Sequence, residues 1–229
     1  MLNINPKQHT FLHFTHSQTK TITVKMKTES QRPTLLLFAA ALLLLTATAD
    51  DPTAQSNSTN YIRTNCGTTL YPDICFSSLS RYASAIQQNP RRLAHVAIGV
   101  SLSRARHVAA YVSNLSREAD YSSDHRAAAA LHDCYSNFGD AVDEIRGSLK
   151  QMRQLGAAGS SAEAFRFLMS NVQTWMSAAL TDEDTCTDGF EDVADGEVKS
   201  EVCERAAVAK KFVSNALALV NSYVAQGMV

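Results

Sequence analysis

The sequence predicts an all-α fold: an antiparallel four-helix bundle with an N-terminal helical hairpin, stapled by disulfides. Three observations carry this expectation. Four long stretches place apolar residues at steps of three and four. No stretch of comparable length alternates with period two. After Pro90 glycine and proline are sparse and alanine is frequent. Amphipathic helices joined by short connections bury their stripes most simply against one another.

In chain order, residues 1–49 stand apart. From Met26 the chain is basic at Lys27 and Arg32, apolar from Leu35 to Leu45, and then carries small residues at Ala47 and Ala49 before Asp50. That is the pattern of a cleaved secretory signal, and the apolar run is short of the roughly 20 residues a membrane-spanning helix needs. Met26 is read as the true start, and residues 1–49 as an N-terminal extension plus signal peptide. Residues 50–59, DDPTAQSNST, are polar and read as a flexible leader. The helical-bundle domain is expected over 60–226.

It opens with YIRTNCGTTLYPDICFSSL, two short segments parted by Gly67 and Pro72. A bond from Cys66 to Cys75 would clip them into a hairpin, worth about 2.7 kcal/mol in the chain-entropy model. The first long helix is expected from about Arg91 to Ala119, with Asn89 as N-cap, Pro90 in the first turn, and Ile98, Leu102, Ala105, Ala109 and Val112 in its seam. The second starts among the capping residues Ser122, Ser123 and Asp124 and buries Leu131, Cys134, Phe138, Ala141, Ile145, Leu149 and Met152. Asp133, Asp140, Asp143 and Glu144 fall off that stripe, as a solvated face would. The third starts at Ser161 and buries Phe165, Leu168, Val172, Trp175, Met176 and Ala179. The last, roughly Val198 to Ala225, uses Val202, Ala206, Ala209, Phe212, Val213, Ala216, Leu219, Val220 and Tyr223.

Without the first 49 residues the chain holds 16 basic and 21 acidic residues, a net charge of −5. That balance disfavours nucleic acid and anionic membrane as partners of the mature form. Catalytic patterns are missing as well. The chain has no Glu-x-x-His pair, no zinc-type Cys/His spacing, no Gly-x-Ser-x-Gly and no phosphate-cradling glycine loop. His95, His107, His125 and His132 lie among Ser, Ala and Arg and read as surface or boundary residues. No enzyme, metal or cofactor is expected.

All five cysteines lie in the exported part, and the sequons at Asn57 and Asn114 agree with secretion. Cys134, in the second helix's seam, meets Cys186 near the end of the third if those helices are antiparallel neighbours. That closure is worth about 4 kcal/mol in the entropy model. Cys203 would then be the unpaired thiol, structural and not reactive, because no cation cluster surrounds it. Around Cys186 the acids Asp182, Glu183, Asp184, Asp188, Glu191 and Asp192 are dense. They form either a solvated helix end or a surface for a basic partner.

The blocks NCGTTLYPDICFSSL, AALHDCYSNFGDAVDEI and WMSAALTDEDTCTDGFED resemble the signature segments of the plant invertase and pectin methylesterase inhibitor superfamily. With the last helix they span about residues 60–225. The resemblance implies disulfides Cys66–Cys75 and Cys134–Cys186 with Cys203 free, and a protein of the cell wall or apoplast that blocks an enzyme and catalyses nothing. WMSAALTDEDTC stands where invertase inhibitors carry Pro-Lys-Phe, so the resemblance points to pectin methylesterase as a one-to-one partner whose pectin-binding cleft is covered. An inhibitor of cell-wall or vacuolar invertase is the alternative, and an extracellular bundle with an unrelated protein partner is another. The chain stops after the bundle, which is unlike a pro-region attached to its own esterase. Carried over by position, the partner-binding residues are Asp140 and Asp143 after Cys134, and Thr185 and Asp188 around Cys186. Ser136 and Gly139 depart from the family pattern, where an acid and a bulkier residue are usual.

Overall fold

A computed structural model describes residues 52–119, 124–157 and 161–227; the extension and signal segment expected at 1–49 lie outside the described residues. The helices are α1 (Pro52–Cys66), α2 (Pro72–Leu79), α3 (Ala83–Ile86), α4 (Pro90–Ala119), α5 (His125–Ala157), α6 (Ala162–Asp188) and α7 (Glu197–Gly227), with a 3-10 turn at Ser80–Tyr82 between α2 and α3. No strand occurs among the described residues. The fold is all-α, as the periodicity requires.

The caps expected from sequence are made. Asn89 Oδ1 accepts from Arg92 N at 3.0 Å, Asp124 Oδ1 accepts from Arg126 N and Ala127 N at 3.1 and 3.0 Å, and Ser161 Oγ accepts from Ala164 N at 3.2 Å. Each satisfies N–H groups that a helix start leaves unpaired. Ahead of Asn89, Gln87 and Gln88 both adopt positive φ, 49° and 56°, and turn the chain from α3 into α4.

The stretch expected as a flexible leader is helical from Pro52 onward. Ser58 and Ile62, one turn apart, are both buried, and the Thr59 hydroxyl donates to Gln55 O at 2.9 Å. The helix is nucleated where Ile62 and Cys66 pack, and propagation upstream adds one hydrogen bond per residue. Composition alone gave no sign of this, because the anchoring contacts lie further along the chain.

Cross-helix pairs show the antiparallel order. Near one end of the α4/α5 pair an Arg91 guanidinium N–H donates to Met152 O at 3.0 Å, and near the other Ser116 Oγ and His132 Nδ1 are 2.7 Å apart. α5 and α6 are joined by Cys134–Cys186 and by Asn171 to Gln151 at 3.5 Å. α6 and α7 are joined by the Lys210–Asp184 ion pair and by Gln173 to Asn221 at 2.8 Å. Tyr111 Oη donates to Glu201 at 2.7 Å between α4 and α7, which closes the ring. Most of the expected seam residues of the four long helices are buried, among them Ile98, Cys134, Phe138, Ile145, Val172, Met176, Val213 and Val220, while Ala109, Phe165, Trp175, Phe212 and Tyr223 are half-buried at the edges of the core.

The hairpin is fixed twice. Cys66–Cys75 ties α1 to α2, and Asn215 on α7 grips the Tyr71 backbone. Its Oδ1 accepts from Tyr71 N at 3.1 Å and its Nδ2 donates to Tyr71 O at 2.8 Å. Asn215 is buried, so this amide substitutes for water at two backbone groups just before Pro72. Asn215→Leu should destabilise the protein by about 2–4 kcal/mol, since two buried groups lose their partner. A denaturant midpoint equal to wild type would show that water reaches Tyr71.

One core residue breaks the apolar rule. Glu183 follows Val172, Met176 and Ala179 at steps of four, three and four, so it points into the seam at 0% exposure. Neither carboxylate oxygen has a hydrogen-bond partner among the described residues. Burial, then Asp184 and Asp182, push its pKa to about 9, with Lys210 opposing. Folding therefore retains a proton that the unfolded chain loses above its ordinary carboxyl pKa of 4.5. The stabilisation is complete below about pH 4.5 and is lost as pH rises toward 9. Glu183→Gln should raise the melting temperature at pH 7 to 8, change it little at pH 4, and flatten the dependence between. Parallel curves for the two proteins would place a charged Glu183 in the fold.

Candidate protein-binding face

α5 and α6 carry the residues expected to meet a partner. Asp140, Asp143, Thr185 and Asp188 are all exposed. Their helices are locked close together: besides Cys134–Cys186, the ring of Trp175 lies over Gly147, where an added Cβ would stand 2.8 Å from the indole. Any side chain at 147 would force the indole aside.

The expected residues do not form one cluster. Asp140 lies in the electrostatic neighbourhood of Glu144 and Asp182, across the α5–α6 boundary. Asp143 is turned along its own helix and ion-paired to Arg146. The Thr185 hydroxyl donates to Thr181 O at 2.9 Å, so its oxygen lone pairs stay open to solvent. Asp188 ends α6 on the side of Lys210, whose pKa it helps to raise.

The sequence reading set Glu144 on a solvated face and Asp182 in the acidic tract, without bringing the two together. Glu144 is one turn beyond Asp140, and both it and Asp182 are only half exposed. Burial, followed by a hydrogen bond to Asp182 and by the charges of Asp182 and Asp140, lifts the Glu144 pKa to about 7. Burial also raises Asp182, while the bond from Glu144 opposes that rise. The two carboxyls share one proton in mildly acidic solution. The i,i+4 spacing of Asp140 and Glu144 was visible in the chain; the approach of Asp182 was not, because it depends on the register between two helices.

The outward stripe of α6 is mild in character. Phe167, Thr174, Thr181 and Thr185 follow at steps of seven, seven and four, and Phe167 is 66% exposed. Acids accumulate where this helix ends, against its macrodipole. The Asp184–Lys210 ion pair offsets part of that cost, and Phe190 and Val193, both buried, anchor the chain beyond.

The remaining expected residues are placed as follows. Cys203 is unpaired and half-buried, and burial raises its thiol pKa with Lys199 opposing, so thiolate is disfavoured. Asn57 and Asn114 are exposed on α1 and α4, where the Asn114 side-chain oxygen accepts from Arg117. Among the described residues no group of three or more His, Cys, Asp or Glu side chains is arranged to hold a metal ion. No helix among them is long and apolar enough to cross a membrane.

Comparison with known proteins agrees with this architecture. Residues 60–219 match the family described as plant invertase/pectin methylesterase inhibitor. A 21 kDa protein of Daucus carota is 40% identical over 192 residues, covering 83% of this chain and 95% of the relative. Pectinesterase inhibitor 11 of Arabidopsis thaliana is 40% identical over 194 residues, with the same coverage of each. The crystal structure of a mutant form of a pectin methylesterase inhibitor from Arabidopsis superposes with a TM-score of 0.55 at 20% identity, over 70% of this chain and 95% of that one, which bears on the fold. The helical bundle, its two disulfides and the match over 160 residues, with relatives named as inhibitors over nearly their whole length, therefore place the chain in the plant invertase/pectin methylesterase inhibitor family.

Proposed function

We propose that this protein is secreted, binds a pectin methylesterase one to one, and covers the enzyme's pectin-binding cleft with the outward face of α5 and α6. The observation that carries the reading is the α5–α6 pair itself. Two long helices held by a disulfide present exposed carboxylates and hydroxyls on a rigid support. Such a face loses little conformational freedom on binding. Relatives bearing the name pectinesterase inhibitor, 37% to 40% identical over 90% to 95% of their length, supply the choice of target.

Within that face Asp140, Asp143 and Asp188 supply negative charge, Thr185 a hydroxyl, and Phe167 an apolar contact further along α6. Carboxylates of this kind orient a partner with basic groups on its cleft rim and speed encounter at low salt. Inhibition is then steric: a plug with no reaction of its own excludes the polymer. The shared proton between Glu144 and Asp182 makes the face less negative below about pH 7 than above it.

Titrating the purified protein against pectin methylesterase and against invertase tests the target. Loss of esterase activity with a one-to-one end point is expected, with invertase unaffected. Asp140→Lys and Asp188→Lys should each weaken inhibition by about tenfold or more and reduce the extent to which added salt weakens it, because repulsive charges replace complementary ones. Their circular dichroism and melting temperature should stay close to wild type, since exposed charges contribute little to stability. Unchanged inhibition by both variants would move the interface off this face.

Trp175 is the one tryptophan of the chain and is packed on Gly147 between the two helices. Adding esterase should therefore alter its fluorescence in step with the loss of activity. Inhibition with no change in the indole emission would argue for contact elsewhere on the bundle.

A further inference from the structure

Away from the α5–α6 face, two grooves run along α4 and share His95 and Val96. One, of ≈ 670 Å³, lies against the hairpin and α7, and the other, of ≈ 540 Å³, against the end of α5. Their linings include Arg81, Arg91, Arg92, Arg104 and Arg153 with His95, and not one carboxylate. This is a concentration of positive charge on a chain whose residues from 50 onward carry a net −5.

The arginines are positioned but not neutralised. None of the ion pairs found among the described residues involves them. Arg81 lies 5.0 Å from the ring centroid of Tyr82 and Arg104 4.9 Å from that of Phe212, while Arg91 and Arg92 donate to Met152 O and the Gln87 amide oxygen. The local potential is felt by His95: burial, then Arg153 and Arg91, lower its pKa. Cations held in a concave groove without counter-charge focus the field outward and recruit an anion. Guanidinium forks suit carboxylates, which they bind in bidentate fashion.

The shape narrows the choice of anion. From Arg92 to Arg104 the cations extend over twelve residues of helix, about 18 Å. Ser77, Ser78 and Ser103 add hydroxyls along the groove; the next cleft, which Arg104 and His107 also line, brings in Glu201, Glu204 and the Glu201-paired Arg205, so the uncompensated cationic run ends there. A slender, extended, hydroxylated polyanion fits such a channel better than the broad surface of an acidic protein.

We infer that this groove binds a linear polycarboxylate sugar chain, the demethylated polyuronate that a pectin methylesterase leaves behind. The identity of the ligand rests on the function proposed above: hydrolysis of a methyl ester turns a neutral sugar unit into a carboxylate, so the target's product is a polyanion. The groove is built on α4 and the end of α5, at Leu149, Met152 and Arg153, whereas the inhibitory residues lie on α6, diagonal to α4, and earlier on α5 at Asp140 and Asp143. The inhibitor is thereby retained on stretches of polymer where esterase has already acted, with its enzyme-binding face free.

The experiment is calorimetric titration of the full protein, without enzyme, by a demethylated uronate oligomer, its fully methyl-esterified counterpart, and polyglutamate of matched charge. Binding of the demethylated oligomer that weakens with salt is expected, with at least tenfold less affinity for the ester and for polyglutamate. Arg104→Gln and Arg153→Gln should each weaken binding about fivefold and leave esterase inhibition as it was. Arg153 is exposed, so its replacement keeps the test informative if loss of the Arg104–Phe212 contact disturbs folding. No binding at low salt, equal affinity for the methyl ester, equal affinity for polyglutamate, or binding indifferent to both substitutions would each overturn the inference. Loss of inhibition in the esterase titration with polymer binding intact would remove the proposed target alone, and inhibition without polymer binding would remove this inference alone.

Discussion

The Cys134–Cys186 bond is the constraint on which the arrangement of the α5–α6 face, the proposed partner-binding surface, depends. Four amphipathic helices bury their stripes in several registers at similar cost, because sliding one helix by a turn exchanges one apolar contact for another. A covalent link between the seam of α5 and the end of α6 removes that freedom. It places Glu144 against Asp182 and the bare backbone of Gly147 under Trp175, and it orients Asp140 and Thr185 outward on neighbouring helices. A second clip, Cys66–Cys75 with the Asn215 amide on Tyr71, does the same for the hairpin, and so forms one wall of the cationic groove.

Charge is separated around this scaffold. Acids gather on α5, on the end of α6 and in the turn after it, while unpaired arginines line α4 where the hairpin and the end of α5 approach. Neither region neutralises the other across the bundle, because buried apolar residues lie between and each faces water, where screening shortens the reach of a charge to about 10 Å. The separation gives the two proposed binding regions, one for an enzyme and one for a polymer, opposite chemistry. The exception, Glu183, is tolerated in the seam by keeping its proton.

Much of this was legible in the chain. Steps of three and four at Ile98, Leu102 and Ala105, or at Leu131, Cys134 and Phe138, define a buried stripe whatever the helix packs against, because the period of the helix is local. Asn89, Asp124 and Ser161 were readable as caps for the same reason: each acts on N–H groups two or three residues away. The cysteine order with its neighbouring Tyr-Pro, Leu-x-Asp-Cys and Thr-Cys-x-Asp segments carried the family. Glu183 was legible too, since the spacing from Met176 through Ala179 to Cys186 passes through it, but its place within a run of acids disguised a core position as surface.

The sequence by itself therefore determined the four long helices and most of their inward faces, which follow from periodicity and capping, while the sulfur pairs came from the family resemblance and from taking the second and third long helices as neighbours. Tertiary structure decided which charges meet: Asp182 with Asp140 and Glu144, Asp184 with Lys210, five arginines along two adjoining grooves, and Asn215 on Tyr71. It also made a helix of the polar stretch after Pro52, through contacts made further along the chain. The physical reason is common to these cases. Such contacts join residues tens to more than a hundred positions apart, and their geometry depends on the register and rotation of one helix against another, which local pattern does not encode.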